Sequence, residues 1–326
     1  MTNSSELIFV GIDVAKATLE LALDDNSKTQ CFGNDDAGVQ AVIAKLKPVA
    51  NRVAVVLLEA TGGLEQRAAV ALCTAGFAVM VVNPRQAHDF AKALGYLSKT
   101  DSIDARALSH FARTLHGSDR RERLLYKLPT AEQEALQALV TRRSQLVGIR
   151  VAEGNRLDTA HASQRKSIQA LIKVLDRQIG QIDDDIGHRL KSHFKDKLDL
   201  LKGLKGVGVG TQAVLMATLP ELGNLTQREI AKLVGVAPLN NDSGKFKGKR
   251  TTWGGRANVR SALYMATLSA ARYDPTIKTF YQRLLAAGKP KKLALTACMH
   301  KLLTIINAVI KSGKPWQAGY PQPSQA

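Results

Sequence analysis

The sequence predicts an α/β domain followed by a mainly helical second half. Short apolar segments with strand character occur in the first third of the chain, segments with helical periodicity separate them, and long helical repeats follow. The length of 326 residues exceeds the usual size of one domain, so we expect two domains with a connecting element.

The N-terminal segments are expected to form a ribonuclease H-like sheet. Strands are predicted at 7–13, 18–23, 29–32, 53–58 and 77–82. Helices are predicted at 37–47, 63–76, 84–94 and 102–115. A three-strand meander followed by crossover connections is rare in other α/β folds, so this order predicts a ribonuclease H-like domain in residues 1–125.

The middle segment, 126–195, is predicted to be a helical coiled-coil connector. Its apolar positions follow one another in steps of three and four residues. They are Ile168, Leu171, Leu175, Ile179, Ile182, Ile186 and Leu190. A repeat of about three heptads is equally expected for a helix packed on its own domain and for a contact between two copies, so both interpretations stay open.

The C-terminal segment, 196–326, is predicted to be mainly α-helical. The glycine-rich stretch 203–208 lies between two short helices and resembles a helix-hairpin-helix, whose backbone N–H groups hold phosphate without reading sequence. Glycine-rich turns between helices are common, so this stretch alone is a weak signal for nucleic-acid binding.

The charge of the chain predicts a polyanionic partner. The formal net charge is +18 and the pI is about 9.9. The sequence contains no run of about 18 apolar residues, and its N-terminus lacks a basic stretch followed by an apolar one. We therefore expect no membrane partner and a cytoplasmic, nucleoid-associated bacterial protein.

Basic residues concentrate in the segment 243–300, where Asp274 is the single acid. Like charges in such a run repel one another unless an anion compensates them, and a phosphate backbone is the expected anion. The residues predicted to bind nucleic acid are Lys245, Lys247, Lys249, Arg250, Arg256, Arg260, Lys289, Lys291 and Lys292.

Four carboxylates are the candidate catalytic residues. Asp13 and Glu59 end two predicted strands that lie side by side, and Asp101 and Asp104 are three residues apart at the start of a helix. Four carboxylates that converge repel one another unless a hard cation binds them, so Mg²⁺ or Mn²⁺ is the expected cofactor. Taken singly, Asp101 is better explained as a helix cap.

Eight segments resemble one known family. The N-terminal ones are GIDVAK, LLEATGG, VNPRQAHDFAKALG and KTDSIDARALSHFA. The C-terminal ones are GLKGVGVGTQAVLMATLPELGNL, KLVGVAPLNNDSGKFKGKR, GGRANVRSALYMATLSAAR and GKPKKLALTACMHKLL. Together they resemble the DEDD transposases, which are bridge-RNA-guided serine recombinases of a bacterial insertion-sequence family that includes a pilin-gene invertase. The resemblance covers nearly the whole chain.

The resemblance implies a RuvC-like catalytic domain and a C-terminal transposase domain. It maps the four metal-binding carboxylates to Asp13, Glu59, Asp101 and Asp104, and a nucleophilic serine to Ser243. It further implies donor and target DNA, a structured noncoding guide RNA, a homodimer or homotetramer, and a covalent phosphoserine intermediate. One departure is that relatives more often have a proline before the Gly-Val-Gly stretch at 206–208.

Two other functions remain open at this point. The first is a metal-dependent nuclease of the Holliday-junction type, in which water attacks the phosphate and Ser243 is structural. The second is a nucleic-acid-binding protein without catalytic activity, whose acidic residues have no part in turnover.

Overall fold

The computed structural model describes residues 6–24, 27–96, 100–119, 121–240, 242–244 and 246–317. The chain forms two compact units, Met1–Leu128 and Pro129–Ala326. Most of the segment predicted as a connector falls in the second unit and shares its core.

The first unit is a five-stranded mixed sheet with helices. Its strands are β1 (Ile8–Val14), β2 (Thr18–Ala22), β3 (Gln30–Gly33), β4 (Val53–Glu59) and β5 (Val79–Val82). Its helices are α1 (Asp36–Leu46), a short 3-10 helix (Lys47–Val49), α2 (Gln66–Thr74), α3 (Pro84–Ala93), α4 (Asp101–His116) and α5 (Arg121–Leu124).

The strand order confirms the ribonuclease H-like prediction for this unit. The order across the sheet is β3-β2-β1-β4-β5. The first three strands pair antiparallel, whereas β1, β4 and β5 pair parallel. Helix α2 begins later than predicted because Gly62 and Gly63 adopt positive φ angles of 66° and 102° in the turn before it.

Side chains alternate between two cores on the faces of this sheet. Ile12 and Leu58 belong to the core that includes α1 and α2 residues. Phe9 and Leu57 belong to the other core, which includes Leu108 of α4. Because successive strand residues point to opposite faces, the sequence position of a residue fixes which helices it meets.

Gly11 allows α4 to pack directly on β1. A Cβ atom at this position would lie 2.1 Å from the carbonyl oxygen of Ala105 and 2.3 Å from the backbone nitrogen of Ser109. The Ser109 hydroxyl also donates to the carbonyl oxygen of Phe9 at 2.8 Å. The helix therefore runs antiparallel to β1, with its first turn above the carboxyl end of the strand.

We expect Gly11→Ala to lower the free energy of unfolding by about 1–3 kcal/mol, because backbone atoms of α4 must move to admit the methyl group. Urea unfolding would measure this change. Gly148→Ala is the matched control, since its Cβ meets no atom within 4 Å in the middle of a helix. An unfolding midpoint of Gly11→Ala equal to that of the wild type would contradict the close packing.

The second unit is mainly helical. Its elements are α6 (Ala131–Thr159), α7 (Ala162–His193), α8 (Lys195–Leu201), α9 (Val209–Thr218), α10 (Gln227–Val234), β6 (Asp242–Ser243), β7 (Phe246–Lys247), α11 (Ala257–Tyr273), α12 (Pro275–Ala286) and α13 (Lys291–Ser312). One buried core joins residues from α6 and α7 to those of α9, α10, α11 and α13.

Helices α6 and α7 form an antiparallel pair within the chain. The Arg143 guanidinium donates to both carboxylate oxygens of Asp183, at 2.5 and 3.1 Å. Of the predicted apolar repeat, Leu175, Ile186 and Leu190 are buried in this unit, whereas Leu171 is 43% exposed. These three buried residues therefore pack against other parts of their own chain.

The glycine-rich stretch between α8 and α9 packs tightly. Gly206 has a φ of 94°, and a Cβ there would lie 2.5 Å from the carbonyl oxygen of Ala266 on α11. Gly203 similarly approaches the carbonyl oxygen of Trp316 at 2.8 Å. Only Gly208 of this stretch has open space beside it, so two of the three glycines are explained by packing rather than by phosphate binding.

Within the described residues, one helix, α13, is long and apolar enough to cross a membrane. About 61% of its most apolar stretch is buried inside the second unit. Leu302, Leu303 and Ile306 on this helix are fully buried and belong to the core.

Candidate active site

The four predicted carboxylates line a single cavity in the first unit. This cavity has a volume of about 860 Å³, and its walls include Asp13, Glu59, Asp101 and Asp104. The structure thus brings together residues that are up to 91 positions apart in the sequence, from Asp13 to Asp104. Helix α3 contributes much of the remaining wall.

Asp13 and Glu59 reach the cavity because of strand register. Ile12 pairs with Leu58 across the parallel strands β1 and β4, so Asp13 and Glu59 follow side by side. Ile12 and Leu58 point into the core shared with α1 and α2. Asp13 and Glu59, the next residues, therefore point to the other face of the sheet, where α3 and α4 lie.

Asp101 and Asp104 reach the cavity because α4 docks on β1. From Gly11 to Asp13 the strand rises about 6.6 Å, and from Ala105 back to Asp101 the helix rises about 6 Å, so the two lengths match. The contact at Gly11 therefore places the first turn of α4 beside Asp13.

The helix cap is Thr100 and not Asp101. The Thr100 hydroxyl accepts a hydrogen bond from the backbone N–H of Ile103 at 3.3 Å, and Asp101 is the first residue of α4. The interpretation of Asp101 as a cap was wrong, because the residue before it already meets this need. The Asp101 carboxylate lines the cavity instead.

A buried carboxylate shapes the turn that follows Glu59. Glu65 is 8% exposed, and its Oε2 atom accepts from the backbone N–H groups of Thr61 at 2.8 Å and Gly63 at 2.9 Å. The Thr61 hydroxyl in turn donates to the carbonyl oxygen of Glu59 at 3.2 Å. These hydrogen bonds fix the direction of the backbone directly after Glu59, the last residue of β4.

Glu20 is an acidic residue near the site that sequence reasoning missed. It pairs with Asp13 across β1 and β2, and Cys31 pairs with Glu20 across β2 and β3. Local desolvation raises the pKa of the Cys31 thiol, and a hydrogen bond to Glu20 and the charges of Glu20 and Asp101 raise it further. Strand register, which the sequence pattern does not specify, was the missing signal.

The donor set fits a hard divalent cation in its chemistry, because Mg²⁺ and Mn²⁺ prefer carboxylate oxygens. In the part of the chain that the structure describes, no three His, Cys, Asp or Glu side chains are grouped closely enough to form a metal site. The carboxylates therefore surround the cavity without the tight convergence that the sequence suggested.

Ser243 lies in an exposed hairpin of the second unit. It pairs with Phe246 between the two-residue strands β6 and β7. Gly244 follows with a φ of 55°, which suits a tight hairpin turn. Lys245, predicted to bind nucleic acid, lies outside the described residues.

Exposed cations flank this hairpin and the start of α13. Lys247, Lys249 and Arg250 are exposed on and after β7. A second exposed group, Lys289, Lys291 and Lys292, lies at the N-terminus of α13, which has no side-chain cap. Cations at a helix N-terminus oppose the helix dipole, so an anion there would be favoured.

Two arginines of the predicted phosphate-binding set have partners inside the protein. Arg256 donates to both carboxylate oxygens of Glu221 at 2.6 Å and to the carbonyl oxygen of Thr218 at 2.9 Å. Arg260 donates to the carbonyl oxygens of Val234 and Gly254. The fold itself therefore gives both guanidinium groups partners, and a phosphate contact by either arginine stays a prediction.

Two family models match the chain. One, described as a transposase, matches residues 10–161, and the other, described as the transposase IS116/IS110/IS902 family, matches residues 198–282. The chain is therefore a transposase, which makes it a DNA-processing enzyme. It belongs to the IS110 transposase family.

Several relatives are similar over long stretches. The pilin gene-inverting protein of Moraxella bovis is 28% identical over 327 residues, covering 94% of this chain and 97% of that protein. The pilin gene-inverting protein of Moraxella lacunata is 26% identical, with the same coverage. An uncharacterized protein of insertion element IS110 from Streptomyces coelicolor is 26% identical over 50% of this chain and 37% of its own length.

Among solved structures, RuvC of Thermus thermophilus in complex with a Holliday junction substrate matches 34% of this chain and 97% of its own length. The TM-score is 0.26 and the sequence identity is 16%. The description of the first unit as ribonuclease H-like depends on its own strand order and directions.

Proposed function

We propose that this transposase is a site-specific recombinase that excises and inserts its own insertion-sequence element. The observation that carries the proposal is the single cavity lined by Asp13, Glu59, Asp101 and Asp104. A cavity with four carboxylates is suited to phosphodiester chemistry, and the net charge of +18 suits the binding of polyanions.

The four carboxylates would hold Mg²⁺ or Mn²⁺. When bound, such an ion polarises a phosphate and stabilises the oxygen that leaves it. Asp13 and Glu59 are placed by the sheet, whereas Asp101 and Asp104 are placed by α4. The sheet and α4 therefore contribute two carboxylates each to the proposed metal site.

Ser243 would attack the DNA phosphate. A bond forms between its Oγ atom and phosphorus while the bond from phosphorus to the leaving sugar oxygen breaks. The serine proton passes to water, and the leaving oxygen takes up a proton. The covalent phosphoserine keeps the energy of the phosphodiester bond, so a second DNA strand reverses the step and rejoins without ATP. The exposure of Ser243 and its neighbouring lysines supports this role.

A structured noncoding guide RNA would choose donor and target DNA by base pairing, and a homodimer or homotetramer would hold the two DNA segments. Support comes from the family membership and from the net charge of +18, which favours polyanionic partners. We place this activity in the bacterial cytoplasm, at the nucleoid.

A covalent-capture experiment tests the proposal. Purified protein is mixed with the noncoding RNA of its element, Mg²⁺, and donor and target DNA. After nuclease and protease digestion, mass spectrometry is used to search for a nucleotide-modified peptide that contains Ser243. The expected result is an adduct at Ser243 that requires the RNA and the metal.

The other outcomes identify the other functions. Cleaved DNA without an adduct on any serine would show a hydrolytic nuclease of the Holliday-junction type. Intact bound DNA under all metal conditions would show a binding protein without catalytic activity. Adduct formation without the RNA would support the serine mechanism and refute the proposed requirement for a guide RNA.

We expect the triple substitution of Lys247, Lys249 and Arg250 by Gln to weaken binding to unrelated DNA sequences equally. The plot of log K for DNA binding against log salt concentration has a negative slope. The magnitude of this slope should decrease by about 0.9 for each lost phosphate contact, or about 2.7 in all. The matched control replaces the exposed residues Lys166, Lys173 and Arg177 of α7 by Gln. Equal salt slopes in both variants would show that the segment after β7 does not contact phosphates.

A further inference from the structure

Helix α3 forms the cationic wall of the carboxylate cavity. The cavity is lined by Arg85, His88 and Lys92 of this helix. Their spacing of three and four residues places them on one helical face. Among the α3 side chains only Ala87 is buried, so the helix contributes little to the core and exposes most of its polar surface.

The helix is capped at both ends, which fixes this face. At the N-terminus, the Asn83 side chain accepts from the backbone N–H of Arg85 at 2.9 Å. At the C-terminus, Gly95 has a φ of 83°, and the backbone N–H of Tyr96 donates to the carbonyl oxygen of Ala91 at 3.1 Å. This left-handed cap turns the chain so that Tyr96 also lines the cavity.

The two walls differ in charge, because α3 contributes Arg85 and Lys92 against one acid, Asp89, whereas the other wall carries four carboxylates. A phosphodiester that enters a cavity with four carboxylates is repelled by each of them, at an energy that rises as water is excluded. A divalent cation offsets part of this repulsion. Lys92 and Arg85 of α3 supply two further positive charges in the cavity lining, and the His88 imidazole supplies an N–H donor.

Helix α3 lies within the stretch VNPRQAHDFAKALG, and the proposed reaction assigns no function to any residue of this stretch. Lys92 is exposed. Among the described residues, no carboxylate lies within 4 Å of its Nζ atom. His88 is also exposed, with 72% of its side chain accessible, and its Nδ1 atom lies 3.4 Å from Oδ1 of Asp89. Both groups are available to a ligand in the cavity.

We propose that Arg85, His88 and Lys92 are positioning residues that bind the phosphates of the DNA strand on either side of the phosphate to be cut. The α3 wall holds the strand and the carboxylate wall faces the reacting phosphate. Tyr96 closes the end of this track and contacts the sugar or base of the adjoining nucleotide. The inference rests on the proposed cleavage at the carboxylate cavity.

The test compares Arg85→Gln/Lys92→Gln with Lys45→Gln/Lys47→Gln in the full chain with its RNA. The control lysines are exposed on α1 and the short helix after it, whose buried side chains belong to the core on the opposite face of the sheet. Initial cleavage rates are measured against DNA concentration, and binding of a single-stranded DNA oligonucleotide is measured by anisotropy at several salt concentrations. Melting temperatures confirm that each variant is folded.

The expected result is a KM for DNA raised about tenfold with a maximal rate within about threefold of the wild type, because the lost contacts act in binding. The salt slope for the single strand should fall by about 1.4, which is 0.7 for each lost contact. Lys92→Arg should retain the wild-type KM. If Arg85→Gln/Lys92→Gln fails to fold, Lys92→Gln alone is measured, with an expected slope change of about 0.7.

Two results would overturn the inference. In the first, the α3 variant and the α1 control have the same KM and salt slope. In the second, the maximal rate falls while KM and slope stay unchanged, which would show that α3 acts on the site and not on the strand. The proposed function is judged separately by the Ser243 adduct, so a normal adduct with an unchanged KM would refute only the role of α3.

Discussion

Replacing Ser243 with alanine is expected to abolish the protein–DNA adduct and to slow strand exchange by at least about 10³-fold, since loss of an attacking nucleophile removes the covalent route. The substitution deletes one oxygen atom from an exposed side chain. The backbone pairing of residue 243 with Phe246 does not use that oxygen, so the hairpin should persist. The reaction with guide RNA, Mg²⁺ and labelled DNA measures both effects.

Ser192→Ala is the control for this prediction. Ser192 is exposed near the end of α7 in the same unit, and its hydroxyl is no part of the proposed reaction. Its variant should form the adduct at the wild-type rate. Undiminished DNA cleavage by Ser243→Ala would show that water is the attacking group, and the chain would then be a hydrolytic nuclease.

Asp101→Asn is expected to reduce cleavage by about 10²–10³-fold while leaving DNA affinity equal to or higher than that of the wild type. The amide keeps the shape of the side chain but removes a negative charge and an anionic metal ligand. Because Thr100 caps α4, the loss of stability should stay within about 1 kcal/mol, which is the usual size of a charge–dipole interaction at a helix start. Cleavage assays with and without added Mn²⁺, together with DNA-binding titrations, check these effects.

The matched control is Asp36→Asn. Asp36 is the first residue of α1, as Asp101 is of α4, and the residue before it caps the helix in the same way. Its side chain is 95% exposed and pairs with Arg67, away from the cavity walls. Equal losses of cleavage in the two variants would show that the effect of Asp101→Asn comes from helix stability and not from the cavity.

The sequence was sufficient to predict the order of the five strands along the chain and their bounds to within about two residues. Runs of β-branched residues broken by turn residues are local signals, and the ends of β1 and β4 place Asp13 and Glu59 without any knowledge of the fold. The helix that carries Asp101 and Asp104 was visible as a periodic pattern. The common cavity of these four residues then follows from parallel pairing and one helix contact.

Features that depend on distant partners were not predictable. The ion-pair partner of Arg256 is Glu221, 35 residues earlier, and no local pattern connects the two. Gly206 reads as part of a phosphate-binding turn until its contact with α11 is known. Glu20 lies next to Asp13 through a strand register that no periodicity reveals. Each case requires a contact that only the folded chain supplies.

The packing of α4 on Gly11 also sets the time at which the cavity is completed during synthesis. Asp13 is translated 88 residues before Asp101, which corresponds to a delay of about 4–18 s at bacterial or eukaryotic elongation rates. Until α4 has left the ribosome and docked on β1, the nascent protein has only the two carboxylates of the sheet. A translation product that ends before α4 therefore lacks half of the acidic set and cannot form the complete cavity.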